Sequence, residues 1–410
     1  MFIIENKNTK LPIKVWLNDE KDLEQLCLDQ AYNLSNLPFL RNWVALMPDT
    51  HAGMGMPIGA IIAAKDNIIP NAVGVDIGCG MGFVSTNVKI SDIKNVETDQ
   101  GSLLKNIVNN ILRDIPTGFN KHKTVQNSQV LDKAKQELNK YEFAKNLLKE
   151  IDAAYYQIGS LGGGNHFIEL QEDDHGYLCI MVHSGSRNFG KQVCDTFHEL
   201  ANQLNEQIKS PVPKAWRLAH LPTDTPEGIA YINWMTLALN FALENRAHMM
   251  AKVQAIITKS IKKYLNEDII YSDQINAHHN YANYEECFGE KVWIHRKGAI
   301  SAKLGEKGII PGAMGSFSYI VEGLGNVESF CSSAHGAGRL FSRTAAMKKF
   351  AKDDVLEDLQ ALGVTLGKKS KRDVAEESRF AYKDIDQVMA NQHDVVKILK
   401  KLSTIAVVKG

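Results

Sequence analysis

One stretch of the chain combines closely spaced glycines with two side chains that bind metals: Asn71-Ala72-Val73-Gly74-Val75-Asp76-Ile77-Gly78-Cys79-Gly80-Met81-Gly82-Phe83. Glycine tolerates backbone angles that other residues avoid, so the chain can turn here and bring Asp76 and Cys79 together. A thiol beside a carboxylate at such a turn is typical of a divalent metal site. The competing interpretation is a glycine-rich turn around an inert buried cysteine, and this stretch alone favours neither.

The segments on both sides of the turn predict extended structure. Strands are expected over Trp43 to Met47, Ile58 to Ala64 and Gly82 to Ile90, and the polar, glycine-rich segment Pro48 to Pro57 is expected to form a loop. The turn with Asp76 and Cys79 therefore lies between strands, which are a stiff support for a site.

Length and composition describe an ordinary globular protein. The 410 residues are enough for a sizeable core, and 44% are hydrophobic and 23% charged. Lys+Arg and Asp+Glu are equal at 47 each, so a nucleic-acid site would have to be a local patch. No linker, repeat or low-complexity segment divides the chain, which predicts one domain over residues 1–410. Strands and helices do not alternate regularly, which excludes a simple doubly wound sheet.

The cysteines and the apolar segments indicate the cellular compartment of the protein. The six cysteines are scattered rather than arranged as a disulfide framework, which predicts a reducing cytoplasm. Residues Met1 to Lys7 lack the apolar segment of a signal peptide. The longest charge-free apolar segment, Gly228 to Leu243, is shorter than the ~18 residues that cross a membrane, so no membrane association is expected.

Three long helices and a terminal strand are predicted. The helices run from about Val130 to Tyr156, from the Thr225-Pro226 start to Leu265, and from about Asp384 to Leu402. A further helix is expected to begin within His335 to Arg339. The apolar tail, Ile405 to Lys409, is expected to pack as a strand and hold Lys409 in place.

Four of the thirteen histidines lie in glycine-, serine- or asparagine-rich junctions beside predicted strand ends or turns: His166, His183, His279 and His335. Each alone is more often a hydrogen-bonding loop residue than a functional one. Three such imidazoles together with Asp76 and Cys79 would supply ligands for one or two divalent ions. Ligand softness favours zinc, but carboxylate and imidazole also suit manganese, so this chemistry leaves the ion open.

Two glycine-rich motifs suit phosphate. Gly162-Gly163-Gly164-Asn165 can accept a phosphate on backbone N–H groups, although no Gly-Lys-Ser/Thr follows as in a Walker loop. His335-Gly336-Ala337-Gly338-Arg339 places an imidazole beside two glycines and an arginine. Imidazole is a phosphorus nucleophile and guanidinium matches phosphate oxygens, so this motif fits a phosphoryl or nucleotidyl group. The alternative for His335 is a capping or core histidine.

Taken together, these segments resemble the RtcB family of RNA ligases, from Pro48 through Gly410. The most specific parts are Val73 to Met81, Gly164 to Phe167, His183 to Arg187, His279 to Tyr281 and His335 to Arg339, which occur jointly in this order. The resemblance implies an α+β fold, a single large mixed α/β domain of the RtcB type with the active site at loop junctions around a β core.

The resemblance also implies an activity. The family joins RNA 3′-phosphate or 2′,3′-cyclic phosphate ends to 5′-hydroxyl ends in RNA repair or tRNA splicing, using GTP and two manganese ions. Some members work with an activating protein, so the resemblance admits such a partner here. His335 would attack the α-phosphate of GTP and carry GMP as a phosphoramidate.

The implied ligands are the residues already singled out. Cys79 would bridge the two ions. Asp76 and His166 would complete one ion, and His183 and His279 the other. By the same resemblance, the nucleotide site comprises Asn165, His166, Phe167, Ile168, Glu169, His279, Asn280, Pro311, Gly312, Ala313, Met314, Ser318, His335, Gly336, Ala337, Gly338 and Lys409.

Two features depart from the family pattern. Many relatives carry serine or another polar residue where this chain has Ala313, which bears on nucleotide affinity. The chain is also short for the family, which bears on the range of RNA substrates.

Two other functions compete with ligation. A metal-dependent RNA cyclic phosphoesterase would need the metal ligands but not His335 or Lys409. An RNA-end-binding protein without ligation would need no intact site. The presence of all five candidate ligands together with His335 and Lys409 favours the ligase.

Overall fold

A computed structural model of the chain describes residues 1–99 and 101–410. The strands are β1 Phe2–Ile4, β2 Ile13–Val15, β3 Leu40–His51, β4 Ile58–Ala64, β5 Asn67–Ile68, β6 Gly80–Lys89, β7 Glu97–Thr98, β8 Gly101–Ser102, β9 Phe167–Asp173, β10 Tyr177–Ser184, β11 Leu221–Pro222, β12 Tyr271–His278, β13 Asn280–Cys287, β14 Glu290–Lys297, β15 Ala299–Ser301, β16 Lys307–Ile310, β17 Ser318–Gly323, β18 Ser332–Ala334, β19 Thr365–Gly367 and β20 Val396–Lys409. The helices are α1 Gln25–Ser35, α2 Pro70–Val73, α3 Ile90–Ile93, α4 Leu103–Asp114, α5 Gln129–Gln136, α6 Leu148–Ala154, α7 Arg187–Gln207, α8 Pro226–Leu265, α9 Arg343–Lys349, α10 Lys352–Ala361 and α11 Ile385–Ala390. Short 3-10 helices cover Glu20–Asp22, Leu138–Leu147, Lys214–Trp216, Val327–Ser329, Val374–Glu377 and Arg379–Ala381.

Two large sheets organise these elements. One has six strands in the order β1-β2-β3-β4-β14-β13. The other has eight, with seven in the order β12-β6-β10-β9-β20-β17-β16 and β19 parallel to β20. Helices and mostly antiparallel strands are mixed along the chain, which confirms the α+β class expected from the sequence.

The long helix α8 lies beneath the eight-stranded sheet. Its first half buries Trp234 and Phe241 in a core shared with α7, and its second half buries Met249 and Val253 in a core shared with the sheet. The Thr225 hydroxyl caps it by accepting from the N–H of Gly228 at 3.1 Å. The predicted helix from Thr225 to Leu265 is confirmed.

The end of the chain differs from the prediction. A helix over Asp384 to Leu402 is wrong, because only Ile385–Ala390 is helical and Val396–Lys409 is one long strand. Strand β20 lies between β9 and β17. Its backbone forms hydrogen bonds with both neighbouring strands, and this tertiary pairing overrides a local sequence pattern that also suits a helix. The predicted strand over Ile405 to Lys409 is confirmed as the second half of β20.

Two other predicted helices are corrected. His335 to Arg339 is a loop with Gly338 at φ 75°, and the next helix begins at Arg343 with Ser342 as its cap. The segment from Val130 to Tyr156 is broken into α5, a 3-10 stretch and α6, with non-helical angles at Ala144. Among the described residues, no helix has both the length and the apolar character to span a membrane.

Candidate active site

Four neighbouring segments of the eight-stranded sheet meet at one place. Strands β12, β6, β10 and β9 are adjacent, and their register sets His183 of β10 opposite Met81 of β6 and Phe167 of β9. His279 follows directly after β12. The sheet therefore gathers chain segments that are far apart in sequence, and each brings one candidate ligand: Cys79, His166, His183 and His279.

Asp76 and Cys79 lie on the turn between α2 and β6. The N–H of Cys79 donates to the carbonyl oxygen of Asp76 at 3.1 Å, and Gly78 between them has φ 75°. A Cβ on Gly78 would lie 2.8 Å from Cβ of Ala242, so the turn packs directly against α8. Both the angle and the close packing favour glycine at this position.

Two groups of donor atoms share the Cys79 sulfur. In the first group, Sγ is 3.3 Å from Nε2 of His183, which is 3.0 Å from Nε2 of His279. In the second group, Sγ is 3.3 Å from Nε2 of His166, which is 3.0 Å from Oδ2 of Asp76. Within each group the donor atoms all lie within 4.8 Å of one another. The five side chains predicted as ligands therefore form one cluster with a common thiol.

The hydrogen bonds of His183 and His279 aim two lone pairs at the same space. Nδ1 of His183 lies 3.1 Å from the carbonyl oxygen of Asn165, which can only accept, so Nδ1 carries the proton. Nδ1 of His279 lies 3.3 Å from Oδ1 of Asn280, and Gly298 N–H fixes that oxygen as an acceptor. Burial lowers the pKa of both imidazoles well below the usual range, so both are neutral. Their Nε2 lone pairs face each other at 3.0 Å, an arrangement that a cation relieves.

The second group contains unsatisfied buried atoms. Oδ1 of Asp76 and Nδ1 of His166 have no hydrogen-bond partner among the described residues. Burial opposes ionisation of Asp76, but the hydrogen bond and charge of His166 hold the pKa of that carboxyl below its usual value. Burial, together with Asp76, raises the pKa of the Cys79 thiol well above its usual range. A buried carboxylate beside imidazoles and a thiol that ionises on metal binding fits a divalent ion.

His335 lies beside this cluster and is held by Asp49. Nδ1 of His335 is 2.6 Å from Oδ2 of Asp49, and the backbone N–H of His335 donates to the same oxygen at 3.1 Å. The ring centroid of His335 is 4.6 Å from that of His279. Because Nδ1 donates to Asp49, Nε2 keeps its lone pair. His335 therefore has the tautomer that a nucleophile requires, next to the candidate metal ligands.

A cavity of about 790 Å³, partly open to solvent, adjoins His335 and His183. Twelve of the residues predicted for the nucleotide site line it: Asn165, Phe167, Glu169, Pro311, Gly312, Ala313, Met314, His335, Gly336, Ala337, Gly338 and Lys409.

Five predicted residues do not line this cavity. His166 and His279 each belong to one of the two groups of candidate metal ligands. Asn280, next to His279, accepts a hydrogen bond from the N–H of Gly298. Ser318 lies behind the wall, where its hydroxyl accepts from the N–H of Gly312 at 3.2 Å. The side chain of Ile168 lies on the face of β9 opposite Phe167 and Glu169, in the apolar core.

One wall of the cavity is an ion-pair network around Glu377. Nζ of Lys409 lies 3.2 Å from Oε2 of Glu377, and both side chains are buried. The Tyr382 hydroxyl donates to the same oxygen at 2.7 Å. Burial opposes ionisation of Glu377, but Lys409 and Arg339 hold the pKa of that carboxyl below its usual value. Strand β20 thus delivers Lys409 to the cavity, as the predicted terminal strand requires.

Arg339 does not have the free guanidinium expected from the sequence. Its N–H groups donate to Glu377, to the hydroxyl of Tyr382 and to the carbonyl oxygens of Glu376 and Phe341. Because its N–H groups already donate to protein acceptors, Arg339 stabilises the wall of the cavity and is not free to bind a phosphate.

Arg343 is the more available guanidinium at the cavity. It is half-exposed, donates to Oδ1 of Asn165 at 3.2 Å and lies 3.8 Å from Glu377. A Cβ on Gly164 would lie 2.6 Å from Nη2 of Arg343, and one on Gly162 would lie 2.1 Å from Nδ1 of His166. The glycines before Asn165 therefore admit these side chains, a role that differs from the phosphate cradle expected from the sequence.

Sequence reasoning missed several residues at the cavity wall or directly behind it. Asp49 and His51 belong to the predicted loop, whereas β3 continues through them and brings Asp49 to His335 and His51 to the wall. A carboxylate and an imidazole two positions apart, in Pro48-Asp49-Thr50-His51, were the available signal. Glu377 and Tyr382 carried no comparable signal, because nothing near them in sequence marks them as partners of Lys409.

Comparison with known proteins agrees with this geometry. The family model described as tRNA-splicing ligase RtcB matches residues 30–410. RNA-splicing ligase RtcB of Escherichia coli strain K12 is 36% identical over 411 residues, which are 97% of this chain and 97% of that protein. The tRNA-splicing ligase RtcB of Nanoarchaeum equitans is 32% identical over 470 aligned positions (98% and 95%), and that of Thermococcus kodakarensis is 30% identical over 471 (99% and 96%). The chain belongs to the RtcB family of RNA ligases.

Proposed function

We propose that this RNA ligase uses GTP and two manganese ions to join RNA 3′-phosphate or 2′,3′-cyclic phosphate ends to 5′-hydroxyl ends, in RNA repair or tRNA splicing. The observation that carries the proposal is the Asp49–His335 pair at the cavity beside the five-residue cluster. A phosphoesterase needs no oriented imidazole nucleophile at the cavity, whereas a ligase that passes through a histidine adduct does.

In this proposal His335 performs the covalent step. Its Nε2 attacks the α-phosphorus of GTP, so that a P–N bond forms while the bond to the bridging oxygen breaks and pyrophosphate leaves. Asp49 accepts the Nδ1 proton in a hydrogen bond and stabilises the positive charge that develops on the ring. The adduct, His335 carrying GMP, is labile because the imidazole is a good leaving group.

Two further steps return His335 to its starting state. An oxygen of the RNA 3′-phosphate attacks the GMP phosphorus and the P–N bond breaks. The 5′-hydroxyl of the second RNA end then attacks the 3′-phosphate phosphorus, loses its proton and displaces GMP. A cyclic phosphate end is first opened by water to a 3′-phosphate.

The other residues hold the reactants. Cys79 with His183 and His279, and Cys79 with Asp76 and His166, would hold the two ions, which when bound neutralise charge on the attacking and leaving oxygens. Phe167 and the turn from Pro311 to Met314 form apolar walls for the nucleotide.

Three polar side chains would hold the ends of the nucleotide. Lys409 and Arg343 offer cationic groups to phosphate, and Glu169 offers a carboxyl to the base. The small Ala313 leaves that part of the wall without a polar side chain.

The test is adduct formation. Incubation with α-labelled GTP and manganese, followed by denaturing electrophoresis, should show an acid-labile label on the chain. His335→Ala should abolish it, whereas His393→Ala, at an exposed histidine away from the cavity, should not. Opening of a cyclic phosphate without any adduct would instead support the phosphoesterase.

A further inference from the structure

Arg246 of α8 lies in the interior, directly beneath the metal-ligand cluster. Its side chain is among the largest that are fully buried, with no exposed surface. Burial lowers the pKa of its guanidinium to about 10, so the group keeps its charge near neutral pH. A charge held in the interior is costly unless it is fully hydrogen-bonded, so its partners indicate its role.

Two partners of Arg246 are residues directly next to candidate ligands. Nη1 donates to the carbonyl oxygen of Gly78 and to that of Ser184, each at 2.8 Å. Gly78 precedes Cys79 and Ser184 follows His183. One nitrogen therefore ties the start of β6 to the end of β10.

Another nitrogen reaches the third strand, β12. Nε donates to Oδ1 of Asn276 at 2.7 Å, and Asn276 in turn donates to the carbonyl oxygen of Leu243 on α8 at 3.0 Å. Nδ1 of His278, which precedes His279, donates to the carbonyl oxygen of Gly78 at 3.0 Å and so shares this acceptor with Arg246. A planar guanidinium holds its acceptors in fixed directions, which the ammonium of lysine does with much less geometric constraint.

The adjacent residue of α8 extends the same arrangement. Oδ1 of Asn245 accepts from the N–H groups of Gly159 and Ser160 at 2.8 and 3.2 Å, and its Nδ2 donates to the carbonyl oxygen of Gly185 at 3.0 Å. Residues 159–160 lead into the glycine loop before His166. Asn245 and Arg246, two consecutive residues of α8, thus bind the chain segments that carry every candidate ligand except Asp76.

We propose that Arg246 is the positioning residue that holds the segments of Cys79, His183 and His279 in the arrangement that binds metal. The proposal rests on the metal-binding part of the proposed function. Arg246 touches none of the reacting atoms, and its effect is on the residues that would hold the ion.

Cobalt binding tests the proposal without relying on ligation. Metal-free protein is titrated with Co²⁺, and the near-ultraviolet sulfur-to-cobalt band reports binding at Cys79. Arg246→Lys should weaken this binding about 10- to 100-fold, the range typical when a partner of a ligand is lost. Thermal unfolding of the same metal-free samples measures stability separately.

Arg296 provides a matched control. It is also fully buried, on β14, where it binds Glu285, Ser332 and the carbonyl oxygen of Phe330, and none of these contacts a candidate ligand. Arg296→Lys should lower thermal stability yet leave cobalt affinity unchanged. Equal loss of cobalt affinity in both variants would reduce the effect to general destabilisation and overturn the proposal.

A second variant covers the case in which Arg246→Lys does not fold. Asn276→Ala keeps the arginine but removes the acceptor of its Nε, and should weaken cobalt binding in the same direction. Unchanged cobalt affinity in a folded Arg246→Lys or Asn276→Ala protein would remove Arg246 from this role while leaving the ligase proposal intact. If the unaltered chain shows no sulfur-to-cobalt band, Cys79 does not bind metal, and both the metal site and this proposal are overturned.

Discussion

The carboxylate of Asp49 accepts two hydrogen bonds from His335, one from the ring Nδ1 and one from the backbone N–H. The first bond fixes the tautomer and the second fixes the position of the loop that carries the ring. Strand β3 of the six-stranded sheet therefore orients the nucleophile proposed for a cavity to which the eight-stranded sheet also contributes.

Asp49→Asn should reduce the rate of GMP adduct formation by roughly 10²- to 10⁴-fold, because the amide can donate to Nδ1 and favour the wrong tautomer. The measurement is the rate of labelling from α-labelled GTP. Cobalt binding should be unchanged. Asp174→Asn, at an exposed aspartate, serves as control. A normal labelling rate in Asp49→Asn would show that the imidazole is oriented by other contacts.

Cys79→Ala should remove bound metal from one or both groups, since its sulfur belongs to both. Metal analysis of the purified variant measures this, and adduct formation should be lost with it. Cys194→Ala provides the comparison, because Cys194 is equally buried but lies on α7 away from the cluster. Full metal content in Cys79→Ala would exclude the thiol as a ligand.

Lys409→Met should raise the KM for GTP about 10- to 100-fold in the adduct assay, as expected for the loss of a charged hydrogen bond to phosphate. Glu377 keeps Arg339 and Tyr382 as partners, so circular dichroism should show an intact fold. Lys397→Met tests the same change at an exposed lysine of the same strand. Equal KM values in the two variants would make Lys409 purely structural.

The two arginines of the cavity wall should respond differently. Arg339→Gln should lower the free energy of unfolding by about 3 kcal/mol, because it leaves part of a buried ion-pair network unpaired. Arg343→Gln should change stability by less than about 0.5 kcal/mol, since the side chain is half-exposed, but should slow adduct formation. Chemical denaturation and labelling measure the two effects. The reverse pattern would return the phosphate role to Arg339.

Glu169 should make the nucleotide-free protein less stable as pH rises. Burial raises the pKa of its carboxyl from 4.5 to about 7. The folded state then binds more protons than the unfolded state between these values, so stability is highest below pH 4.5 and falls as pH rises to about 7. The full loss is about 3 kcal/mol.

Glu169→Gln isolates this effect, because the amide cannot ionise. At pH 8 the variant should be more stable than the unaltered protein, and at pH 4 the two should be nearly equal. Denaturant unfolding of metal-free and nucleotide-free samples at both pH values gives the comparison. A difference that does not depend on pH would mean that the pKa of Glu169 is the same in the folded and unfolded states.

The sequence predicted the parts of the protein that local chemistry specifies. Asp76 and Cys79 were identifiable because a glycine turn separates them by three positions, and α8 because Thr225 and Pro226 mark its start. Each signal lies within a few residues.

The parts that were missed depend on contacts across the chain. The sequence predicts a helix for the first half of β20 because the local pattern suits both structures, and only the pairing with β9 and β17 selects the strand. Arg339 was expected to be free because its partner Glu377 cannot be recognised from sequence. Asp49 was placed in a loop, since nothing local shows that its strand continues to His335.

The central position of β20 also has a consequence for how the protein folds. Without β20, the eight-stranded sheet separates into β12-β6-β10-β9 on one side and β17-β16 on the other. All the histidines of the metal cluster lie in the first part, whereas the nucleotide cavity draws on both parts and on β20 itself. Pairing such distant segments carries a high loop-closure cost and is slow. We therefore expect the cavity to form later in folding than the part of the sheet that carries the metal-binding histidines, β12-β6-β10-β9.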